Sequence, residues 1–388
     1  MRGDGVRISV AQRRARLGVR HRLARRTASV AEAAASVVAL HGTDPATVFL
    51  SAGARLESPG PEPVERALYE DRTLVRMTGM RRTVFAVPVE LVPVVHHSSA
   101  LAVAKQERKK LLRFLAEGGG WDEAWVGEVE ASVLRLLAES GEATAAELGA
   151  LEPRLRQQVR VAVGKPYEAT QGVSTRLLGL MAMEGRLVRR GRPSGTWISG
   201  QVRWGVAPEM AELTVQEAQA ELVRRWLAAF GPGTEGDVKW WTGWTLGDVR
   251  RALGSIGAVT VELDEGVGYV LPDDLDPVPA PPPWAALLPA LDPTPMGWQG
   301  RDWYLPQAHR SELFDRSGNV GPTVWWDGEV VGGWAQRGDG EIVWRLLSDV
   351  GADARSSIET EVMGLASWLA GVKVTPRFRT PLERELSA

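Results

Sequence analysis

The stretch Ser174-Thr-Arg-Leu-Leu-Gly-Leu-Met-Ala-Met-Glu184, continuing through Arg186-Leu-Val-Arg-Arg190, Gly191-Arg-Pro-Ser-Gly195 and Thr196-Trp-Ile-Ser199, decides how the rest of the chain is read. Leu177, Leu178, Leu180 and Met181 fall on one helical face, so residues 174–184 predict a helix with that face turned inward. The helix runs without a linker into a strand, a turn that carries Arg189, Arg190 and Arg192, and a second strand. Upstream, Val126 to Glu139 is amphipathic, Ala143 to Leu148 reads as a short helix, and Pro153 to Val163 as a helical insertion. Three helices followed by a strand, a basic turn and a strand is the order of a winged helix.

Two flanking regions repeat the scheme. On the N-terminal side, Ser29-Val-Ala-Glu32 is a capping-box pattern. Val30, Ala33, Ala34, Val37 and Val38 then predict a helix ending near Leu40, because Gly42, Asp44 and Pro45 disfavour continuation. Short helices over Thr47–Leu56 and Pro63–Glu70 follow. Leu74–Val87 is strand-rich, and Pro88 opens a long helix toward Glu117. On the C-terminal side, Val215–Phe230 is helical, Thr234 and Thr245 are placed to cap two short helices, and Val259–Leu263 and Gly268–Leu271 flank a Glu265-Gly266 turn. This last wing is acidic, which suits architecture more than phosphate contact. Prolines 277, 279, 281, 282 and 283 mark a linker. Beyond it, Asp327-Gly328 and Gly338-Asp-Gly340 predict two hairpins, with a helix over Ile358–Ala370 and a strand over Val372–Pro376. The expected fold is therefore α+β. Three tandem winged-helix modules (1–117, 118–210 and 211–276) precede a C-terminal β-rich domain (277–388).

Length and composition set the frame for this division. A chain of 388 residues exceeds one ordinary core and suggests roughly two to four domains. No apolar run approaches the roughly 18 residues that span a bilayer, and the arginine-rich start has no apolar core of a secretory signal. Cysteine is absent, which excludes disulfides and thiolate metal sites and fits a reducing cytoplasm. There is no phosphate-cradling glycine loop, nucleophile elbow or His-Glu-x-x-His. His96-His97 is the one paired histidine and has no third ligand in sequence reach, so neither a metal nor a cofactor is expected.

The formal net charge of −2 hides an uneven distribution. Arginine crowds the first 30 residues, Arg76, Arg81 and Arg82 cluster, and Arg108, Lys109, Lys110 and Arg113 follow. Acid concentrates at residues 117–152 and 264–276. A basic face opposite an acidic one is compatible with DNA binding at near-zero net charge. Solvated helix faces are the plainer reading of each cluster. Most of the 16 tryptophans are expected in the core, with base stacking as the sharper alternative.

One segment carries chemistry: Val37-Val-Ala-Leu40-His41-Gly42-Thr43-Asp44-Pro45-Ala46-Thr47-Val48-Phe49-Leu50, ending in Ala54-Arg55-Leu56. It resembles the active-site segment of the winged-helix DNA glycosylases, which include the azinomycin-resistance glycosylase and crosslink-unhooking relatives. In that family a helix runs into Leu-Gln-x-Gln-Asp-Pro or a Gln-x-Asp variant. Leu74-Val-Arg76 with Met80-Arg81-x-Thr83-Val84 resembles the family's Leu-Val-Arg and Met-Arg-Gly-Thr-Leu-His stretch. Leu287-Leu-Pro-Ala-Leu-Asp292-Pro293, Pro322-Thr-Val and Asp327-Gly-x-Val-Val-Gly332 resemble its C-terminal signature. The resemblance thus spans nearly the whole chain. It implies a C-shaped arrangement around a basic channel for double-stranded DNA. The implied activity is hydrolysis of the N-glycosidic bond of N7-alkylated, bulky or crosslinked purines, serving DNA repair and genotoxin resistance. A monomer is expected.

The chain departs from the family at the motif itself, with His41 and Thr43 where the amides stand, and at Arg82 and Phe85, where Gly and His are common. On an extended segment residues 41 and 43 share a side. His41 can then take a proton from water, Thr43 can hold that water, and Asp44 can orient the imidazole or meet positive charge on the sugar. An alkylated purine is already a good leaving group, so positioning a water suffices. The bland alternative has His41 and Thr43 closing one helix and Asp44 capping the next. A DNA-binding or regulatory protein without hydrolysis is the competing function. The residues expected at phosphates are Arg76, Arg81, Arg82, Arg189, Arg190 and Arg192.

Overall fold

The computed structural model of the protein describes residues 5–161, 164, 168–191 and 195–388. Helix α1 (Val10–Arg20), which periodicity did not reveal, is capped by Ser9. Helix α2 (Val30–Ala35) starts as expected, with the Ser29 side chain accepting from the Glu32 amide. It stops well short of Leu40. Val37, Val38, Ala39 and Leu40 are all fully buried, and a helix would have turned some of them outward. Val38 instead takes a positive φ of 65°, and Leu40–His41 becomes strand β1. Asp44 then caps helix α3 (Pro45–Gly53).

Strands β2 (Leu74–Thr78) and β3 (Val84–Pro88) complete a sheet of order β1-β3-β2. Its register sets His41 opposite Phe85, and Phe85 opposite Met77. The long helical run after Pro88 exists, but its first turns are irregular before it settles into Leu101–Gly119.

Between residues 123 and 206 the order is helix (Glu123–Ser140), strand (Ala143–Thr144), helix (Ala145–Leu151), helix (Val173–Met183), strand (Leu187–Arg190) and strand (Arg203–Val206). The last strand lies between the other two. Two expectations are corrected here. Residues 153–161 of the expected insertion, whose last two positions lie outside the described residues, are not helical beyond a single 3-10 turn, which is followed by Gln158–Val161 pairing antiparallel with Ala169–Gly172. The return strand is also not 196–199. Trp197 is buried against Phe49 and Trp368 (ring centroids 5.0 and 5.8 Å), and that packing pulls its segment out of the sheet.

Val215–Phe230, Glu235–Thr242 and Leu246–Ser255 are helices with Thr214, Thr234 and Thr245 as caps. Val259–Leu263 pairs with Gly266–Val270, so the turn is Asp264-Glu265, one residue earlier than read. The remaining sheet orders Ala285–Leu288, Thr323–Trp326, Glu329–Gln336 and Ile342–Leu346, all antiparallel. Asp327 and Gly328 both have positive φ, as a two-residue hairpin turn of this hand requires. Residues 372–376 form no strand. The Gln336 side chain holds them instead, donating to the Val372 carbonyl and accepting from the Val374 amide.

Two cores result, apart from a small patch around Ile8. One is confined to residues between Ala104 and Trp204. The other runs from Leu17 through Leu40, Phe49, Trp226 and Trp298 to Leu386. The start, the 215–256 helices and the C-terminal sheet therefore share one interior. Two sets of ion pairs tie it together. The N-terminal arginines and the acidic 264–276 segment, far apart in sequence, pair directly: Arg7–Asp264, Arg13–Glu265, Arg16–Asp274 and Arg20–Asp274. Arg55 and Asp292, both wholly buried, form a bidentate pair at 2.8 Å. Among the described residues no helix is long and apolar enough to cross a membrane.

Candidate active site around His41

His41 reaches its position because β1 is anchored at Leu40 in the core and pairs edge-on with β3. Its ring meets Phe85 edge-to-face at 5.2 Å. Burial, and then the charge of Arg81, pull its pKa down to about 4, so the imidazole is neutral at physiological pH. Nδ1 faces the Thr43 amide at 3.5 Å, a long contact that favours the tautomer protonated at Nε2. Nε2 has no partner among the described residues. Thr43 Oγ1 is buried and likewise has none.

Asp44 is fully employed as a cap. One oxygen accepts from the Ala46 amide (3.2 Å), the other from the Arg377 amide (3.0 Å). The capping reading of this residue therefore holds, and its charge stays beside Thr43 all the same.

Arginines surround the segment. Arg76, on β2, donates from Nη2 to the Gly42 carbonyl at 3.0 Å, while its Nε is buried without a partner. Arg81 sits at positive φ with its guanidinium over Trp240 (4.2 Å), and Arg301 lies 4.6 Å from the same ring. Burial and the Arg301 charge lower the pKa of Arg81, and its Nε too is an unmet donor. Arg377 Nη1 approaches the Thr43 carbonyl at 3.5 Å. An unpaired buried donor is costly, and three unmet polar atoms in one place are what a polyanion or a bound polar substrate would satisfy.

Of the residues singled out from sequence, the structure brings His41, Thr43, Asp44, Arg76 and Arg81 together. Arg189 and Arg190 join Arg76 along a small cleft with Tyr69 and Gln201. Arg82 stands apart, half exposed and paired with Glu107 at 3.0 Å. Arg192 lies outside the described residues. Arg301, Arg377 and Trp240 were missed, because nothing local marks residues that reach the site from about 200 to 330 positions away. Among the described residues no group of three or more histidine or acidic side chains is placed to hold a metal ion.

No curated protein matches the chain. A solved structure, the Streptomyces sahachiroi DNA glycosylase AlkZ, superposes with a TM-score of 0.71 at 20% identity, covering 96% of this chain and 99% of that one. The fold is therefore the same at low sequence similarity. The family model for AlkZ-like DNA glycosylases matches residues 34–368, a span that contains β1, the Arg55–Asp292 pair and Arg76, Arg81 and Arg301 of the basic cluster. The chain belongs to the AlkZ-like DNA glycosylase family.

Proposed function

We propose that the protein is a monofunctional glycosylase that hydrolyses the N-glycosidic bond of alkylated purines, including bulky or crosslinked N7 adducts, in double-stranded DNA. The observation that carries this reading is the neutral, buried His41 with a free Nε2 beside the unmet Thr43 hydroxyl, inside a ring of arginines. A neutral imidazole and a hydroxyl can fix a water by hydrogen bonds, much as the family's two amides would. With Nδ1 turned to the Thr43 amide, His41 orients the water through Nε2–H. When the ring takes the other tautomer, Nε2 accepts the proton the water loses. N7 alkylation makes the base a good leaving group, so little more acid–base help is needed.

Three tandem winged-helix modules and a C-terminal β-rich domain form the proposed scaffold, with 1–117, 118–210, 211–276 and 277–388 as the units, arranged in a C around the DNA. The helix–strand–helix–helix–strand–strand order of residues 123–206 supports this for the second unit. Of the six arginines expected at phosphates, Arg81, Arg82, Arg190 and Arg192 take that role, while Arg76 and Arg189 line a separate chamber beside the segment. Non-catalytic DNA binding is the competing reading, and one observation favours it: both Asp44 oxygens are already bonded within the protein. A panel of duplexes bearing N7-methylguanine, a bulky N7 adduct or an interstrand crosslink decides the matter. Release of alkylated base is the expected outcome. Tight duplex binding with no release from any of them would establish the competing reading.

A further inference from the structure

Between β2, the helical stretch Val89–His96, the turn and strand at 185–189 and the loop at 207–211 lies a cavity of about 260 Å³. Met77, Val92, Leu187 and Met210 give it apolar walls. Arg76 and Arg189 line it from neighbouring strands. Arg189 lies over Trp204 (5.2 Å) and, among the described residues, meets no carboxylate or carbonyl. Arg76 spends one nitrogen on Gly42 and leaves its buried Nε unmet. Glu209, exposed on the rim, makes no ion pair with either.

Two guanidinium groups packed side by side without a counter-ion repel each other and lose hydration. The fold nonetheless holds them there, at one side of an apolar chamber. Burial, with Arg76 as the neighbouring charge, pulls the Arg189 pKa down to about 10, and it remains a cation at neutral pH. We infer that this cavity is a binding site for a small apolar organic anion, its ring or acyl body against Met77, Val92, Leu187 and Met210 and its acidic group between Arg76 and Arg189. The volume is just under the roughly 300 Å³ of drug-sized pockets, which admits a body of up to about three rings or a medium-length acyl chain. His96, whose pKa burial and then His97 lower, lines the cavity as a neutral imidazole and suits an uncharged polar substituent. Because Arg76 also holds the Gly42 carbonyl, an occupant touches the same side chain that braces the His41 segment. The site is independent of whether the protein cleaves glycosidic bonds.

Titration of the full chain with anilinonaphthalene sulfonate, and displacement of this probe by decanoate, test the assignment. Saturable binding at a single site is expected. Arg189→Gln should weaken it about ten-fold, the effect of losing one charge-assisted hydrogen bond. Ala182→Phe, which fills the cavity, should abolish it, with thermal unfolding of both variants checked for a cooperative wild-type-like transition. If Ala182→Phe fails to fold, Arg189→Gln and decanoate displacement decide alone. Unchanged probe affinity in Arg189→Gln would overturn the site. Displacement of the probe by an unmodified duplex would also overturn it, because the arginine pair would then be a phosphate contact.

Discussion

An imidazole with a pKa near 4 behaves unlike an ordinary histidine, which changes charge near 6.5. If neutral His41 positions the water, base release should stay level from pH 8 to about 5 and fall only as the ring protonates near 4. A pH–rate profile with a midpoint near 6.5 would contradict the placement. The same depression has a consequence for stability. Unfolded histidine binds a proton near 6.5, whereas folded His41 does so near 4 and folded His21 near 3. The unfolded chain therefore takes up more protons as pH falls below 6.5. The stability these two neutral rings contribute is complete above that value and is lost progressively down to their folded pKa values, so urea unfolding at pH 7 and pH 4.5 should show the lower midpoint in acid. Asp44→Ala removes a cap and the bond to the Arg377 amide, and should cost about 1 kcal/mol or more in the same measurement. Much of this was legible at the level of residue types. Asp44 as cap of the next helix was the plainer reading of that residue, although the helix begins at Pro45 and not at Thr47, and His41-x-Thr43 on extended backbone put two polar groups together. Arg377 and Arg301 were not legible, since only the tertiary fold carries them to the site.

Among elements, local chemistry read correctly and long-range packing did not. The Asp327-Gly328 hairpin and the Thr234 and Thr245 caps depend on neighbours a few residues away, and all are where their sequences put them. The return strand after Arg190 depended on Trp197 choosing a distant core, and the end of α2 on four consecutive buried residues. The arginine-rich start is the clearest case. It read as one part of a basic surface, yet α1 spends Arg13, Arg16 and Arg20 on the acidic 264–276 segment. Asp274→Ala would leave the almost fully buried Arg16 without its partner carboxylate. Breaking a buried pair this way costs about 3 kcal/mol, visible as a clear drop in the unfolding midpoint. An unchanged midpoint would mean that α1 is not held by these charges.

For the whole molecule, the buried Arg55–Asp292 pair joins two stretches of the family resemblance that lie 237 residues apart. It fixes α3, and with it the cap at Asp44, against the C-terminal sheet, where Thr47 donates to the Ala290 carbonyl at 3.0 Å. The surface so assembled is positive around His41 although the chain is nearly neutral. Duplex affinity should accordingly fall with salt whatever the sequence, and Arg81→Ala with Arg82→Ala should shallow the logarithmic salt slope by about two. An unchanged slope would take both residues out of the interface. The most direct measurement is single-turnover release of N7-methylguanine from a duplex by wild type and by His41→Ala, with the duplex Kd measured for each. The expected result is at least about a 100-fold slower release in the variant with Kd within a few-fold, because the group acts on the transition state more than on binding. Release by His41→Ala at the wild-type rate would contradict His41 as the residue that positions the water.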